Sequence, residues 1–261
     1  MSTIRNSARE RLQRGELSLG VGIRIAASVE IAKAMKTAGF DWLFIDLEQS
    51  ALSIETASQL AIAALDAGIA PIVRIPNGEF ALATRLLDNG ALGVVVPHVE
   101  MAEEARLIVS KLRYPPQGHR GVFSSMPHYD YRAVKADELM ASLNAANLIA
   151  VMLETEGAIG NAEEIAAVDG IDVLLIGTND LCIDMGVAGD LGHARVAEAY
   201  QYMTAACRRH GKWAGMGGVY DEALMRRYVE MGCRFILSGA DLALMMGAGT
   251  KRTEFLRGLK T

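Results

Sequence analysis

Leu148-Ile149-Ala150-Val151-Met152-Leu153-Glu154-Thr155-Glu156 and Val173-Leu174-Leu175-Ile176-Gly177-Thr178-Asn179-Asp180 are apolar runs of strand length that each end in carboxylates. Continuous apolar runs of this kind read as strands of a parallel sheet buried on both faces. One helix-sized segment, Ala158 to Val168, separates them. That spacing makes them neighbours and brings Glu154 and Asp180 out on one face. Carboxylates just past the C-terminal ends of parallel strands stand where α/β proteins place chemistry. As a pair they point to a divalent cation, Mg²⁺ or Mn²⁺. The alternative is that one of them caps a helix, and Asp180 is placed to do so.

The same alternation extends in both directions. Strands are expected at Leu19–Ile25, Trp42–Asp46, Pro71–Ile75, Gly93–Pro97, Trp213–Gly217 and Arg234–Ser238. Between and after them, helices are expected near Ser28–Ala38, Ser53–Ala67, Phe80–Asn89, Ala102–Leu112, Asp137–Asn144, Ala194–His210, Glu222–Met231 and Asp241–Leu259, with a short extra one at Asp180–Met185. Eight strand–helix units in about 250 residues is the arithmetic of a (β/α)8 barrel, preferred here over an open doubly wound sheet. Arg113 to Arg132, rich in Pro, Gly, His, Ser and Tyr, reads as a long irregular segment of the kind that tends to be functional.

The 261 residues are 51% hydrophobic, with no linker or shift in composition, so residues 1–261 read as a single domain. A net charge of −5, with no basic run longer than Arg208-Arg209, argues against nucleic acid as a main partner. No apolar stretch is long enough for a membrane span, and the polar, mixed-charge start to Gly15 is not a signal peptide. Cys182, Cys207 and Cys233 lack metal-type spacing, so a reducing cytoplasm is the expected location.

On a barrel, residues at the strand C-termini form the active face. Here these are Asp46, Glu48 and Gln49, then Arg74, His98, Glu154, Gly177 to Asp180, Gly217 and Gly218, and Ser238 with Asp241. An arginine leaving an apolar strand is rarely packing material, so Arg74 is either a ligand group or the partner of Asp46 or Glu48. The Gly177-Thr178-Asn179-Asp180 turn offers backbone N–H groups to an anion such as a carboxylate. Gly215-Met216-Gly217-Gly218 admits a phosphate as a weaker alternative.

Several stretches together resemble the HpcH/HpaI aldolase family. They are Gly39-Phe40-Asp41-Trp42-Leu43-Phe44-Ile45-Asp46-Leu47-Glu48, Val73-Arg74, Leu86-Leu87-Asp88-Asn89-Gly90-Ala91, Tyr114-Pro115-Pro116-Gln117-Gly118-His119-Arg120-Gly121, Leu153-Glu154-Thr155 and Ile176-Gly177-Thr178-Asn179-Asp180-Leu181. The resemblance spans almost the whole chain. It implies a metal-dependent aldolase that joins or splits a pyruvate-type 2-oxo acid and an aldehyde, with Mg²⁺, Mn²⁺ or Co²⁺ held by Glu154 and Asp180. It further implies that Arg74 stabilises the enolate oxygen. Backbone N–H groups around Asn179 and Asp180 would hold the substrate carboxylate. Asp46 and Asp88 would support acid–base chemistry, Asp88 reaching in from a neighbouring subunit of a hexamer with exchanged C-terminal helices. A metal and an arginine aimed at one oxygen stabilise charge where it develops.

Two positions depart from the family pattern. Its catalytic histidine, at the end of Asp-x-Glu-His, is Gln49, and a family glutamine two residues before the metal-binding glutamate is Met152. Glutamine does not titrate near neutral pH and cannot be a general base. Three accounts stand: metal-bound water carries the proton, His98 replaces the base, or Gln49 is an engineered substitution. Reactions open to such a site are aldol cleavage, oxaloacetate decarboxylation, and binding of metal and keto acid without turnover.

Overall fold

The computed structural model describes residues 4–259. Eight strands form a closed parallel barrel in the order β1-β2-β3-β4-β5-β6-β7-β8. They are β1 (Ser18–Ile23), β2 (Trp42–Asp46), β3 (Ala70–Arg74), β4 (Gly93–Val96), β5 (Leu148–Leu153), β6 (Val173–Gly177), β7 (Trp213–Gly217) and β8 (Cys233–Ala240). The helices are α1 (Ser7–Gln13), α2 (Glu30–Thr37), α3 (Ile54–Ala67), α4 (Phe80–Asp88), α5 (Ala102–Leu112), α6 (Ala136–Ala146), α7 (Glu156–Gly160), α8 (Ala162–Ala166), α9 (Thr178–Asp184), α10 (Ala194–Arg209), α11 (Glu222–Met231) and α12 (Asp241–Arg257). Closure rests on β8 pairing with β1, with Leu19 beside Ile236.

Parity along each strand decides what faces inward, because successive side chains alternate between barrel interior and helix layer. Leu148, Ala150 and Met152 fill the interior with Phe44, Ile72, Val95, Val173, Leu175 and Phe235. Ile149, Val151 and Leu153 join the core between strands and helices. Trp42 stacks on Phe235 with ring centroids 4.0 Å apart. A Cβ on Gly20 would meet the Trp42 ring at 2.2 Å, so that ring needs a glycine opposite. Continuing the inward parity past the last apolar layer gives Asp46, Arg74, Glu154, Gly177 and Gly217 at the C-terminal mouth.

The structure differs from the sequence-based expectation in several places. Residues 7–13, read only as a polar leader, form α1. Its Asn6 cap accepts from the Arg9 N–H. Ala8 and Leu12 close the lower end of the barrel interior. The helix expected at Ala158–Val168 is two short ones. Thr155, read with the strand, caps the first by accepting from the Ala158 N–H. Gly157 and Gly160 weaken that turn, and Asn161 between the helices donates to the Glu100 carbonyl at 2.8 Å. β1 ends at Ile23 because the next three N–H groups, of Arg24, Ile25 and Ala26, turn to the Asp241 carboxylate.

In the long segment after α5, Arg113 and His128 pack at the other end of the barrel from the mouth, while Val122 and Phe123 lie beside the start of α4. Arg113 donates to the Gly170 carbonyl and pairs with Asp172 before β6. His128 bonds the Ala91 carbonyl before β4 at 3.0 Å, and His119 bonds Ser110. Neither histidine reaches the mouth in its own chain.

Candidate active site

The register pairs Asp46 with Arg74 across β2 and β3. Arg74 donates from Nε and Nη2 to the two Asp46 carboxylate oxygens, at 2.9 and 2.7 Å. Asp46 Oδ1 also accepts the N–H groups of Glu48 and Gln49. Burial by itself would push the Asp46 carboxyl up. The Arg74 hydrogen bonds and charge, with the two backbone donors, hold it below the ordinary range. The Arg74 guanidinium, whose Cζ lies 5.2 Å from the Phe44 ring centroid, also meets Glu48 at 3.0 Å. Both readings of Arg74 therefore apply: it is locked by Asp46 and Glu48, and it faces a cavity.

That cavity, of about 140 Å³, is lined by Arg74, Asp46, Gln49, Met152, the Gly177–Asp180 turn and residues of β1, β7 and β8. Gly177, Thr178, Asn179 and Asp180 therefore come together with Arg74 and Met152. The Thr178 hydroxyl, however, is committed to Tyr200 at 2.7 Å and the Gly217 carbonyl at 2.6 Å. Thr178 walls the cavity without a free hydroxyl. Asp180 is no helix cap: α9 starts at Thr178, leaving Asp180 in the first turn and exposed. Gly218 accommodates the Asn179 amide, which a Cβ would meet at 2.7 Å. Gly218, at φ +82°, thus makes room for the Asn179 side chain, while Gly217 is in ordinary contact with its neighbours.

Glu154 lies beside this wall and is 3% exposed. Its Oε2 accepts the His98 backbone N–H at 2.8 Å and lies 3.0 Å from His98 Nδ1. His98 adopts a left-handed backbone (φ 53°), and its Nε2 lies 3.4 Å from Glu48. His98 holds the carboxylates in place and does not line the cavity. Burial pushes the Glu154 carboxyl up; His98 opposes this, and the charges of Asp180 and Glu48 add to it. A cation between Glu154 and Asp180 would relieve that repulsion. Gly177 leaves room for the glutamate, since a Cβ there would sit 2.7 Å from Glu154 Oε1. Two hard oxygen ligands, completed by substrate and water, suit Mg²⁺ or Mn²⁺. Among the described residues no group of three or more His, Cys, Asp or Glu forms a protein-only cage.

Asp88 is not brought to this mouth by its own chain. It ends α4 and pairs with the buried Arg120 at 2.6 Å. Ser238 and Asp241 are also spent on structure: Ser238 bonds the Gly20 carbonyl, and Asp241 holds the turn after β1. The sequence reading missed Arg24 and Tyr220, which line the cavity with Gly22 and Leu237. Arg24 shares the inward parity of Gly20 and Gly22, and an arginine closing an apolar strand was the available signal. Tyr220, beyond β7 in an irregular loop, offered none. Burial raises its phenol, opposed by the charges of Arg24 and Arg74.

A family model described as HpcH/HpaI aldolase/citrate lyase matches residues 25–248. The chain is 36% identical to a 4-hydroxy-4-methyl-2-oxoglutarate aldolase of Hapsidospora irregularis, over 94% of this chain and 92% of that one. It is 37% identical to a hydroxypyruvate/pyruvate aldolase of Cupriavidus necator, over 97% and 93%. The crystal structure of an HpcH/HpaI aldolase from Desulfitobacterium hafniense superposes with a TM-score of 0.91 at 30% identity, covering 97% of both chains. With a (β/α)8 barrel and these relatives, the chain belongs to the HpcH/HpaI aldolase/citrate lyase family and is a carbon–carbon lyase.

Proposed function

We propose that the protein cleaves and forms 4-hydroxy-2-oxo acids, with pyruvate or a related 2-oxo acid as one product and an aldehyde or ketone as the other. The observation that carries this reading is that Asp180 and the locked Arg74 guanidinium line one small cavity, with Glu154 packed against its Gly177 wall and near enough for its charge to act on that of Asp180. Glu154 and Asp180 would hold a divalent cation, Mg²⁺, Mn²⁺ or Co²⁺, which supplies Lewis acidity at the keto oxygen. First-turn N–H groups of α9 would receive the substrate carboxylate. Arg74 would donate to the keto oxygen. In cleavage the C3–C4 bond breaks, its electron pair becomes the C2=C3 bond of the enolate, and the C2=O π pair moves to the keto oxygen. The C4 hydroxyl gives its proton to water as its carbonyl forms, and the enolate carbon then takes up a proton from water. Arg74 is pre-aimed by Asp46 and Glu48, so it stabilises the oxyanion without reorganising.

Gln49 can orient a water or the C4 hydroxyl by hydrogen bonding, but it cannot take the proton. This favours, as a second reading, oxaloacetate decarboxylation, which passes through the same enolate and needs no proton removed from a C4 hydroxyl. Asp88 would join the site only from a neighbouring copy. α12 supports such an assembly: Leu242, Leu244, Met245, Met246, Phe255 and Leu256 are all exposed. We place the protein in a hexamer with exchanged C-terminal helices. We also assign it to a reducing cytoplasm, where three free cysteines persist. No described helix is long and apolar enough to cross a membrane.

The test is pyruvate release from 4-hydroxy-2-oxo acids and from oxaloacetate with each metal, and after EDTA. Metal-dependent release, lost with chelator and restored by metal, is the expected result. Chelator-insensitive turnover overturns the metal role of Glu154 and Asp180, and pyruvate binding with no turnover of any substrate overturns the lyase assignment of this cavity.

A further inference from the structure

Two arginines meet at the cavity, and only one is fully employed. Arg74 is held by both Asp46 oxygens and by Glu48. Arg24, just past β1, meets one carboxylate among the described residues. That contact is long, Nε to Asp46 Oδ2 at 3.4 Å, and the oxygen already accepts from Arg74 at 2.7 Å. The remaining Arg24 contacts are neutral: Nη2 donates to the Gln49 carbonyl at 2.9 Å and lies 3.5 Å from Gln49 Oε1. A guanidinium has five N–H donors in a fork suited to carboxylates. Its side chain is 43% exposed yet lines the cavity. Beside it, Gly22, Gly239 and Ala240 present almost no side-chain bulk, leaving that wall of the cavity open.

We infer that Arg24 is a specificity-determining residue that binds a second carboxylate on the substrate, at the end remote from the keto acid. This rests on the lyase reading above, and it names the substrate class: dicarboxylic 4-hydroxy-2-oxo acids rather than adducts of neutral aldehydes. The geometry gives the direction. Arg24 and Arg74 flank the same Asp46 oxygen. A substrate whose keto oxygen lies against Arg74 runs its far end along the β1–β8 wall to Arg24. Arg74 takes both Asp46 and Glu48, so it is Arg24 that keeps guanidinium donors free for a substrate anion. Gln49, which occupies the family's histidine position, is bonded to Arg24 through its own carbonyl.

The experiment is a calorimetric titration with Mn²⁺ present, comparing 2-oxoglutarate with 2-oxopentanoate, a monocarboxylate of equal chain length that lacks the distal carboxylate. A charge-assisted contact predicts that the wild-type protein prefers the diacid by about tenfold to a hundredfold. Arg24→Ala should abolish that preference, and Arg24→Lys should restore part of it. Circular dichroism checks that the variants fold. Equal binding of the two acids by the wild type refutes the inference and leaves the lyase reading standing. An equal loss for both acids in Arg24→Ala also refutes it, since Arg24 would then act through Asp46. Failure of both acids to bind in the presence of Mn²⁺ defeats the keto-acid reading of the cavity and the inference with it.

Discussion

Replacing Arg74 by methionine should destabilise the protein strongly at neutral pH, and less so in acid. The side chains of Asp46 and Arg74 are 1% and 7% exposed, so solvent screens little of their interaction. Methionine keeps an apolar stem over Phe44 and removes both hydrogen bonds to Asp46. Breaking a buried pair by removing one partner costs about 3–5 kcal/mol, because the remaining charge stays buried. For a chain of this length that corresponds to a fall in Tm on the order of 10 °C. The sign with pH follows from Asp46. In the wild type its folded pKa lies below the model-peptide 3.8, so its contribution is present above that value and is lost as pH falls through the folded pKa. In the variant burial dominates, the folded pKa rises above 3.8, and protonation on acidification removes the penalty. Thermal melts at fixed protein concentration should therefore show the widest gap from wild type near pH 7.5 and a narrower one near pH 5. Asp46→Asn combined with Arg74→Met should recover most of the loss. A loss below about 1 kcal/mol at neutral pH, a gap that widens in acid, or no recovery in the double variant would refute the reasoning.

Three further outcomes follow from the same contacts. Gln49→His should speed aldol cleavage by about 10²–10⁴-fold if it restores a general base where proton transfer limits the rate; a steady-state assay showing no gain would mean the proton leaves by another path. Gly177→Ala places a methyl 2.7 Å from the Glu154 carboxylate, so Mn²⁺ affinity measured by calorimetry should fall by about 10–100-fold while the circular dichroism spectrum is retained. Unchanged Mn²⁺ binding would remove Glu154 from the metal site. Glu163, held to a pKa of about 2 by Arg209 and then His210, should keep its contribution above pH 4.5 and lose it as pH falls toward 2. An NMR titration should show its pKa moving back up in Arg209→Ala.

The barrel was legible because it depends on local patterns repeated along the chain. Apolar runs such as Leu148–Leu153 specify buried strands by composition, and the helices between them carry their own caps, as Ser53 does by accepting the Thr56 N–H. Strand ends were less legible. The end of β1 depends on Asp241, more than two hundred residues away, and the split between α7 and α8 on a bond from Asn161 to Glu100. No local signal encodes such partners. The polar stretch of α1 gave no strong helical period, and it folds by plugging the barrel floor with Ala8 and Leu12.

For the site, the chain alone determined which chemical groups stand at strand ends: Asp46, Gln49, Arg74, Glu154 and Asp180. Inward parity is a property of consecutive residues, so Asp46, Arg74 and Glu154 follow from counting, while Gln49 and Asp180 stand in the segments just past β2 and β6. Only the tertiary structure decided how they are used. Closure of the barrel set the register that joins Arg74 to Asp46, and His98 in its left-handed turn reached across to Glu154. Barrel closure also left Asp88 and His128 at the opposite end and gave Arg24 a place in the cavity. Those outcomes depend on distances between residues far apart in the chain, and such distances exist only once the strands close into a ring.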